Sequence, residues 1–318
     1  MVGRIALRLA SGAVTLLLLV VLAFVLLTAM PGGPGSITDD PSLTPEARAA
    51  LVRAWGLDRP PAERLGRFVA SAVRGDLGVS RRFGRPVREV LAGALGPTLL
   101  LAGSALVLAF VLGIALGSRA AARPGGIADL LVRRGLPLLD AVPPFWLGML
   151  GMLVLSLRLH WLPAGGMGHP SREGLAGLLA HLVLPVLVLG LPGAAVVARH
   201  HRAALARELA ARHTLAARAL GLPPAAVHLR AQRAALHPAI ALLGLALPSL
   251  AGGAVVVEVV FSWPGLGRVQ QEALLGRDVP LALGALLLVG LLVIAGGILA
   301  DVLSALADPR WRRPGGAR

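Results

Sequence analysis

The charges in this chain come in blocks, and the gaps between the blocks are the strongest constraint on its fold. A run of 30 uncharged residues separates Arg8 from Asp39, 29 separate Glu89 from Arg119, and 17 separate Asp140 from Arg158. Further gaps lie between Glu173 and Arg199 (25), Arg233 and Glu258 (24), and Asp278 and Asp301 (22). About 20 apolar residues cross a hydrocarbon core as a helix. Lipid offers the backbone no hydrogen-bond partners, so each spanning segment must be a helix and not an open strand. The gaps predict an all-α integral membrane protein with six transmembrane helices, near 8–28, 97–118, 136–157, 178–198, 238–260 and 281–304. Pro143-Pro144 is expected to distort the first turns of the third.

Only 15% of the residues are charged, against about 25% in soluble domains. All 31 basic residues are arginine, and lysine, cysteine and tyrosine are absent. In a soluble chain a net charge of +15 would suggest nucleic acid. Between apolar spans it reads instead as positive-inside bias and attraction to anionic headgroups, so no nucleic-acid partner is expected. Without cysteine there are no disulfides or thiolate metal sites. Arg4 and Arg8 precede an apolar run longer than a signal peptide's usual 7–15 residues, with no Ala-x-Ala before Pro31, so the first segment is expected to stay as a helix.

With six helices both termini share a side. If that side is cytoplasmic, the inside segments carry 17 arginines and the short outside loops 158–178 and 261–280 carry 4. The imbalance predicts cytoplasmic termini. The long segment 39–89 then lies outside. Pro45 suits a first helical position, Gly56 a helix end, and a second helix after Pro61 lines up Leu65, Phe68, Val69 and Ala72 as an amphipathic cap on the outer membrane surface.

The stretch His213–Pro238 is polar and basic between apolar runs. It predicts two short helices. The first, near 203–220, would carry a Glu208–Arg212 pair and a stripe of Leu209, His213, Ala216 and Leu220, ending at Gly221 with positive φ. The second would start at Pro224 and stop near His237, because Pro238 disfavours helix in the residue before it. On it Val227, Ala231 and Ala234 face one way, and Arg230, Arg233 and His237 another. Residue spacing alone leaves open whether this loop is a docking surface or a solvated, topology-setting segment.

Ala216-Ala217-Arg218-Ala219-Leu220-Gly221-Leu222 resembles the EAA loop of type I ABC-transporter permeases, with Leu215 at the usual glutamate. Four further stretches resemble the peptide/nickel branch of that family. These are Met30-Pro31-Gly32-Gly33-Pro34, Gly56-Leu57-Asp58-Arg59-Pro60, Arg74-Gly75-Asp76-Leu77-Gly78-Val79-Ser80, and Glu258-Val259-Val260-Phe261-Ser262-Trp263-Pro264-Gly265-Leu266-Gly267. Asp301 and Asp308-Pro309-Arg310 match its closing residues, although Gly297 and Ser304 replace the usual Asn and Tyr. The chain is similar to the first permease of dipeptide, oligopeptide or nickel systems.

That resemblance implies a type I permease core at 97–308 with its EAA-like loop at 212–238. It also implies an added N-terminal helix and outer segment at 1–96, and a basic cytoplasmic tail at 309–318. It implies a bacterial plasma-membrane location, a second homologous permease, two cytoplasmic ATP-binding subunits and an extracytoplasmic solute-binding protein. Ala216, Ala217, Arg218, Gly221 and Leu222 would meet the ATPases. Asp140, Glu258, Phe261, Trp263, Pro264, Gly265 and Asp301 are motif or gating candidates. The three acids sit near predicted helix ends, where they either cap or snorkel or else serve transport.

No Gly-x4-Gly-Lys-Ser/Thr loop exists to hold a phosphate, so no cofactor is expected on this chain and ATP would belong to its partners. No Gly-x-Ser-x-Gly elbow or other nucleophile–base pair is present, so no enzyme is expected. The eight histidines lack metal-site spacing and are expected at membrane interfaces. The alternative is an ion-gradient-driven secondary transporter, which would show polar, interrupted helices at mid-membrane.

Overall fold

The computed structural model describes residues 2–30, 44–168 and 170–307. The described residues form two compact units, one of Val2–Pro97 with Gly265–Ile294 and one of Thr98–Pro264 with the segment from Ala295. The elements are helices α1 (Val2–Ala29), α2 (Pro45–Ala54), α3 (Pro61–Val73), α4 (Val87–Ala122), α5 (Ile127–Leu130), α6 (Leu136–Asp140) and α7 (Pro144–Gly151). They continue with α8 (Pro170–Ala210), α9 (Arg212–Ala219), α10 (Pro224–Ala241), α11 (Leu243–Val260), α12 (Leu266–Leu275) and α13 (Val279–Ala307). Two π-helical stretches, Leu131–Gly135 and Met152–Arg158, follow α5 and α7.

Among the described residues, four helices are long and apolar enough to cross a membrane: Ala6–Ala29, Val87–Ala122, Gly174–Ala210 and Val279–Ala305. The third predicted span is not one helix. It is a pair, Ile127–Leu139 and Pro144–Arg158, bent by more than 40° at the break. Pro143 and Pro144 stand at that break. Pro144 cannot donate to the preceding turn, and Pro143 is held at ψ 138, outside the helix. The fifth predicted span is also divided. The helix before it runs on to Ala241, and Leu242 separates it from α11.

In the first unit, α2 opens at Thr44, whose hydroxyl accepts the Ala47 N–H at 3.3 Å, and closes at Gly56 with φ +62. The predicted apolar face of α3 forms, and three of its residues pack against neighbouring helices. Leu65, Phe68 and Val69 meet a core of Phe24 and Leu27 from α1, Val87 and Leu91 from α4, and Leu281 and Leu283 from α13. The same burial carries α4 ten residues back from the predicted start at Pro97. Val87, Leu91 and Ala94 share one face and are all buried. Their burial offsets the roughly 3 kcal/mol that proline costs inside a helix.

Asp278 organises the loops of this unit. It precedes α13, is fully buried, and its Oδ1 accepts the Leu281 N–H at 3.2 Å as a helix N-cap. Its Oδ2 accepts the Ser80 hydroxyl at 2.6 Å and the Arg82 N–H at 3.0 Å. Ser80 is also fully buried and accepts the Phe83 N–H. One carboxylate thus pins the turn between Val79 and Pro86 to the start of α13.

The second unit packs through small residues. A Cβ on Gly117 of α4 would meet the Ala198 carbonyl of α8 at 2.7 Å, so the two backbones approach as only glycine permits. Large side chains from α4, α8 and α11 fill the space beyond, among them Leu101, Leu184 and Val257.

Asp278→Ala removes a helix cap, worth about 0.5–2 kcal/mol, and leaves buried donors costing about 1–3 kcal/mol each. The purified variant should melt well below the parent in a thermal-shift measurement. Asp278→Asn, which keeps an acceptor for Leu281, should lose less.

Candidate functional site

The basic loop folds as two helices, with the first boundary moved. Helix α8 runs to Ala210, and Ala211 is extended (φ −67, ψ 146) before the short α9. The predicted Glu208–Arg212 pair is therefore absent, because the break takes Arg212 off the turn above Glu208. His213 Nε2 lies 3.3 Å from Glu208 Oε2 instead. The predicted stripe is lost with it, for only Leu209 packs inward while His213, Ala216 and Leu220 are exposed.

The turn at the end of α9 is as the residues predict. Gly221 has φ +78, its N–H bonds the Arg218 carbonyl at 3.0 Å, and the Leu222 N–H bonds the Ala217 carbonyl at 3.2 Å. This pair of bonds is a Schellman motif, which satisfies the last carbonyls of α9 and reverses the chain. No atom lies within 4 Å of where a Gly221 Cβ would sit. Backbone conformation, and not space, selects glycine there.

Helix α10 begins at Pro224 but does not stop at His237. It continues through Pro238 to Ala241. Proline leaves the Ala234 carbonyl without its usual helical donor, and His237 Nδ1 lies 3.1 Å from that oxygen. The buried face of α10 is Val227, Ala231, Ala235 and Ala239, with Ala234 only partly covered. Ala231 and Ala235 pack with Ala121, Ala204 and Leu205 of α4 and α8. The arginines of α10, Arg230 and Arg233, are exposed.

Beside this loop lies a groove of about 1120 Å³, lined by Arg218, Leu222, His228, Leu229 and Gln232 and floored by Ser118. Of the candidate contact residues, Ala216 and Arg218 are exposed and Ala217 and Leu222 are half-buried. Leu220 is 82% exposed and Leu215 50%, an apolar pair presented outward on a short basic helix.

A polar cluster beneath α10 escaped the sequence reading. His201 of α8 is fully buried, contrary to an interfacial place. Its Nε2 lies 3.1 Å from Gln232 Nε2 and 3.2 Å from Ser118 Oγ, and Gln232 Nε2 donates to Ser118 Oγ at 2.9 Å. The three residues join α4, α8 and α10. The buried Asp129 of α5 makes a second tie, accepting from Arg202 of α8 and from the Gly125 N–H. The weak signal for both was polar side chains recurring on otherwise apolar helix faces, with His200 and His201 indistinguishable by type.

The second group of candidates is brought together at the end of α11. Glu258, Phe261 and Trp263 are essentially fully buried. Glu258 does not snorkel, since its Oε1 accepts the Thr98 hydroxyl at 2.6 Å. Ser262 takes φ +51, and the Trp263 N–H bonds the Glu258 carbonyl at 2.8 Å, closing α11 with a second Schellman turn. Pro264 follows that turn, and Gly265 is the extended residue before α12. The Phe261 carbonyl accepts the Gly166 N–H at 2.7 Å, and the Phe261 ring packs by Gly148. Asp140 ends α6, but its side chain lies outside the described residues. Asp301 is half-buried within α13, six residues before its end. Pro31–Pro34 and the closing Asp308-Pro309-Arg310 also lie outside the described residues. Among those described, no group of three or more His, Asp or Glu side chains is arranged to hold a metal ion.

Helices long and apolar enough to span a membrane and a basic helix–turn–helix, α9 and α10, occur in the one chain. Residues 109–313 match the family described as the binding-protein-dependent transport system inner membrane component. A peptide permease protein of Brucella ovis is 37% identical over 308 residues, covering 95% of this chain and 97% of that protein. The oligopeptide transport system permease protein AppB of Bacillus subtilis is 33% identical over 298 residues, with 93% and 94% covered. The glutathione transport system permease protein GsiC of Escherichia coli is 34% identical over 303 residues, with 94% and 95% covered. The chain belongs to this family, the type I permeases of peptide-type ABC transporters. It is a multi-pass inner-membrane component of a binding-protein-dependent importer, and a secondary transporter is not favoured.

Gly165 tests how tightly the α11 turn is held. A Cβ there would meet the Phe261 carbonyl oxygen at 2.6 Å, whereas one on Gly103 would meet nothing within 4 Å. Gly165→Ala should destabilise the protein by about 1–3 kcal/mol through overpacking, read as a lower melting temperature. Gly103→Ala, in mid-helix, should be neutral or slightly stabilising.

Proposed function

We propose that this chain is one of two homologous permease subunits of an ATP-driven importer for peptides or a similar small solute. It works with two cytoplasmic ATP-binding subunits and an extracytoplasmic solute-binding protein. Its termini and the 212–238 loop face the cytoplasm. The names of the relatives support peptides as the substrate class. ATP and its hydrolysis belong to the partner subunits, since this chain has no lysine to complete a phosphate-binding loop.

The observation that carries the reading is the form of the loop. It presents Leu215, Leu220 and Arg218 outward beside a groove, while α10 is fastened by alanines to α8. A partner seated against α9 moves α10 and α8 with it. Alternating access then follows if two packings of the membrane helices lie close in energy and nucleotide binding biases them.

Gly221→Val puts a β-branched side chain at φ +78, where strain costs about 1–3 kcal/mol. That is enough to turn α9 while the apolar helices stay inserted. Membrane levels should be normal, and co-purification of the ATP-binding subunits and transport should both be lost. Ala217→Arg should behave alike by filling the docking face. Arg230→Ala should be milder, one exposed charge being worth under about 1 kcal/mol. Full transport by both Gly221→Val and Ala217→Arg would reduce the loop to a solvated connector.

The absence of native cysteine makes the sidedness testable by labelling. A cysteine at the exposed Ala54 should react with an impermeant maleimide in intact cells, and one at the exposed Ala225 should react only after permeabilisation. Labelling of Ala225→Cys from outside would invert the topology.

A further inference from the structure

Helix α4 is gripped by polar side chains at two places far apart along its length. Twenty positions separate Thr98 from Ser118, a helical rise of about 30 Å. That is the thickness of a hydrocarbon core, about 30 Å.

The first grip is at the loop end. Ser118 Oγ accepts the Gln232 amide of α10 at 2.9 Å and donates to the Ile114 carbonyl of its own helix at 2.6 Å. The same amide nitrogen lies 3.1 Å from Nε2 of the buried His201 of α8. With two hydrogens, one amide nitrogen reaches both neighbours. The second grip is at the other end of the span. There the Thr98 hydroxyl donates to Glu258 Oε1 of α11 at 2.6 Å. The Glu258 carbonyl in turn accepts the Trp263 N–H at 2.8 Å, and the Phe261 carbonyl accepts the Gly166 N–H at 2.7 Å. The α11 turn and the 159–168 loop therefore both follow from where Thr98 holds Glu258.

Between the grips α4 has no proline, whereas α8 beside it contains Pro185 and Pro192. Small residues set the two backbones against each other along the way. A Cβ on Gly190 would meet the Ala105 carbonyl at 2.9 Å, and one on Gly193 the Ala109 Cβ at 3.1 Å. A Cβ on Gly113 would meet the Ala194 carbonyl at 2.9 Å, and one on Gly117 the Ala198 carbonyl at 2.7 Å. These contacts advance along both helices in the same direction. Sliding α4 by part of a turn would drive side chains onto backbone, so the pair moves together or not at all.

We infer that α4 is the transmission rod of this permease, and that Gln232 is the positioning residue coupling the 212–238 loop to the Thr98–Glu258 contact at the far end of the span. The inference rests on the importer reading above, because it takes ATP-binding subunits at the loop as the source of the motion. As the loop moves, Gln232 carries Ser118 with it, and Thr98 draws on Glu258. The turn at Phe261 and Trp263 then changes with nucleotide state. His201 holds the Gln232 amide in the orientation that reaches Ser118.

The test reads that turn while the loop end is altered. Ala164 is exposed in the loop tied to Phe261, and the chain has no native cysteine. Maleimide labelling of Ala164→Cys would be followed on this chain by mass, in the complete detergent-solubilised complex, with and without magnesium AMP-PNP. Nucleotide should change the labelling rate of the otherwise unaltered complex. Gln232→Met fills a similar volume without the amide. It should cut that change about tenfold, two hydrogen bonds being lost, while the ATP-binding subunits still co-purify. Ser118→Ala should act alike, and Ser118→Thr, whose methyl has room in the groove, should keep the response. Thr98→Val should reduce it from the far end. Combining Gln232→Met with Thr98→Val should be no worse than the worse single change, as two cuts in one path. Independent structural losses at sites this far apart would add instead. A full nucleotide response in Gln232→Met, or additive effects in the double variant, would overturn the inference. So would an unresponsive Ala164→Cys in a complex that holds its ATP-binding subunits and transports. A chain that retains no ATP-binding subunits before any loop change would sink the importer reading itself.

Discussion

A helix leaves its last carbonyls without intrahelical partners, and in lipid no water can take them up, a constraint that recurs along this chain. Four free C=O groups at each helix end need partners. Here the backbone supplies them by reversing on itself. Gly56, Ser262 and Gly221 all take positive φ, and each closes a helix by bonding the next one or two N–H groups back to it. Where proline interrupts α10, a histidine side chain reaches the orphaned oxygen. Many of the candidate transport residues sit on these closures, while Asp301 lies within α13. Glu258, Phe261 and Trp263 belong to one such turn, and Ala217, Arg218 and Gly221 to another.

Between helices, apolar side chains gain little from leaving lipid for protein, so association depends on close fit. Gly117 against Ala198, and Ala231 and Ala235 against Ala204, are the result. Polar side chains then fix which helices meet. Ser118, His201 and Gln232 specify one three-helix junction, and Thr98 with Glu258 a two-helix contact between α4 and α11. Each leaves a costly unsatisfied group if the partners separate.

Much of this was legible in the residues. Charge-free runs locate the apolar helices, because a charge in lipid is expensive and its absence over 20 residues is informative. Gly56 and Gly221 announce their turns, since a C′ residue at positive φ favours glycine. The junctions were not legible. Nothing in composition distinguishes His201 from His200, or Ser118 from any serine on an apolar face, until the helices are placed side by side. Asp278 was visible only as the end of a gap; its tie to Ser80 spans almost 200 positions. Local rules also failed where packing outweighed them. Pro97 and Pro238 look like helix boundaries, but burial of Val87 and Leu91 carries one helix across, and a side-chain donor lets the other continue. The break at Pro143-Pro144 went the opposite way, with two adjacent prolines stronger than the apolar pattern around them.

The alanine seam between α8 and α10 has a mechanical meaning. Alanine has no side-chain rotamers to rearrange, so the seam has little slack, and load applied to one helix passes to the other with little loss to side-chain reshuffling. The helix from Gly174 to Ala210 is 37 residues, about 55 Å, with Pro185 and Pro192 within it. Helix α9 is joined to it by the single extended residue Ala211. If α8 carries the motion proposed above, Pro185 and Pro192 are where it bends, since each removes a ladder bond from the helix.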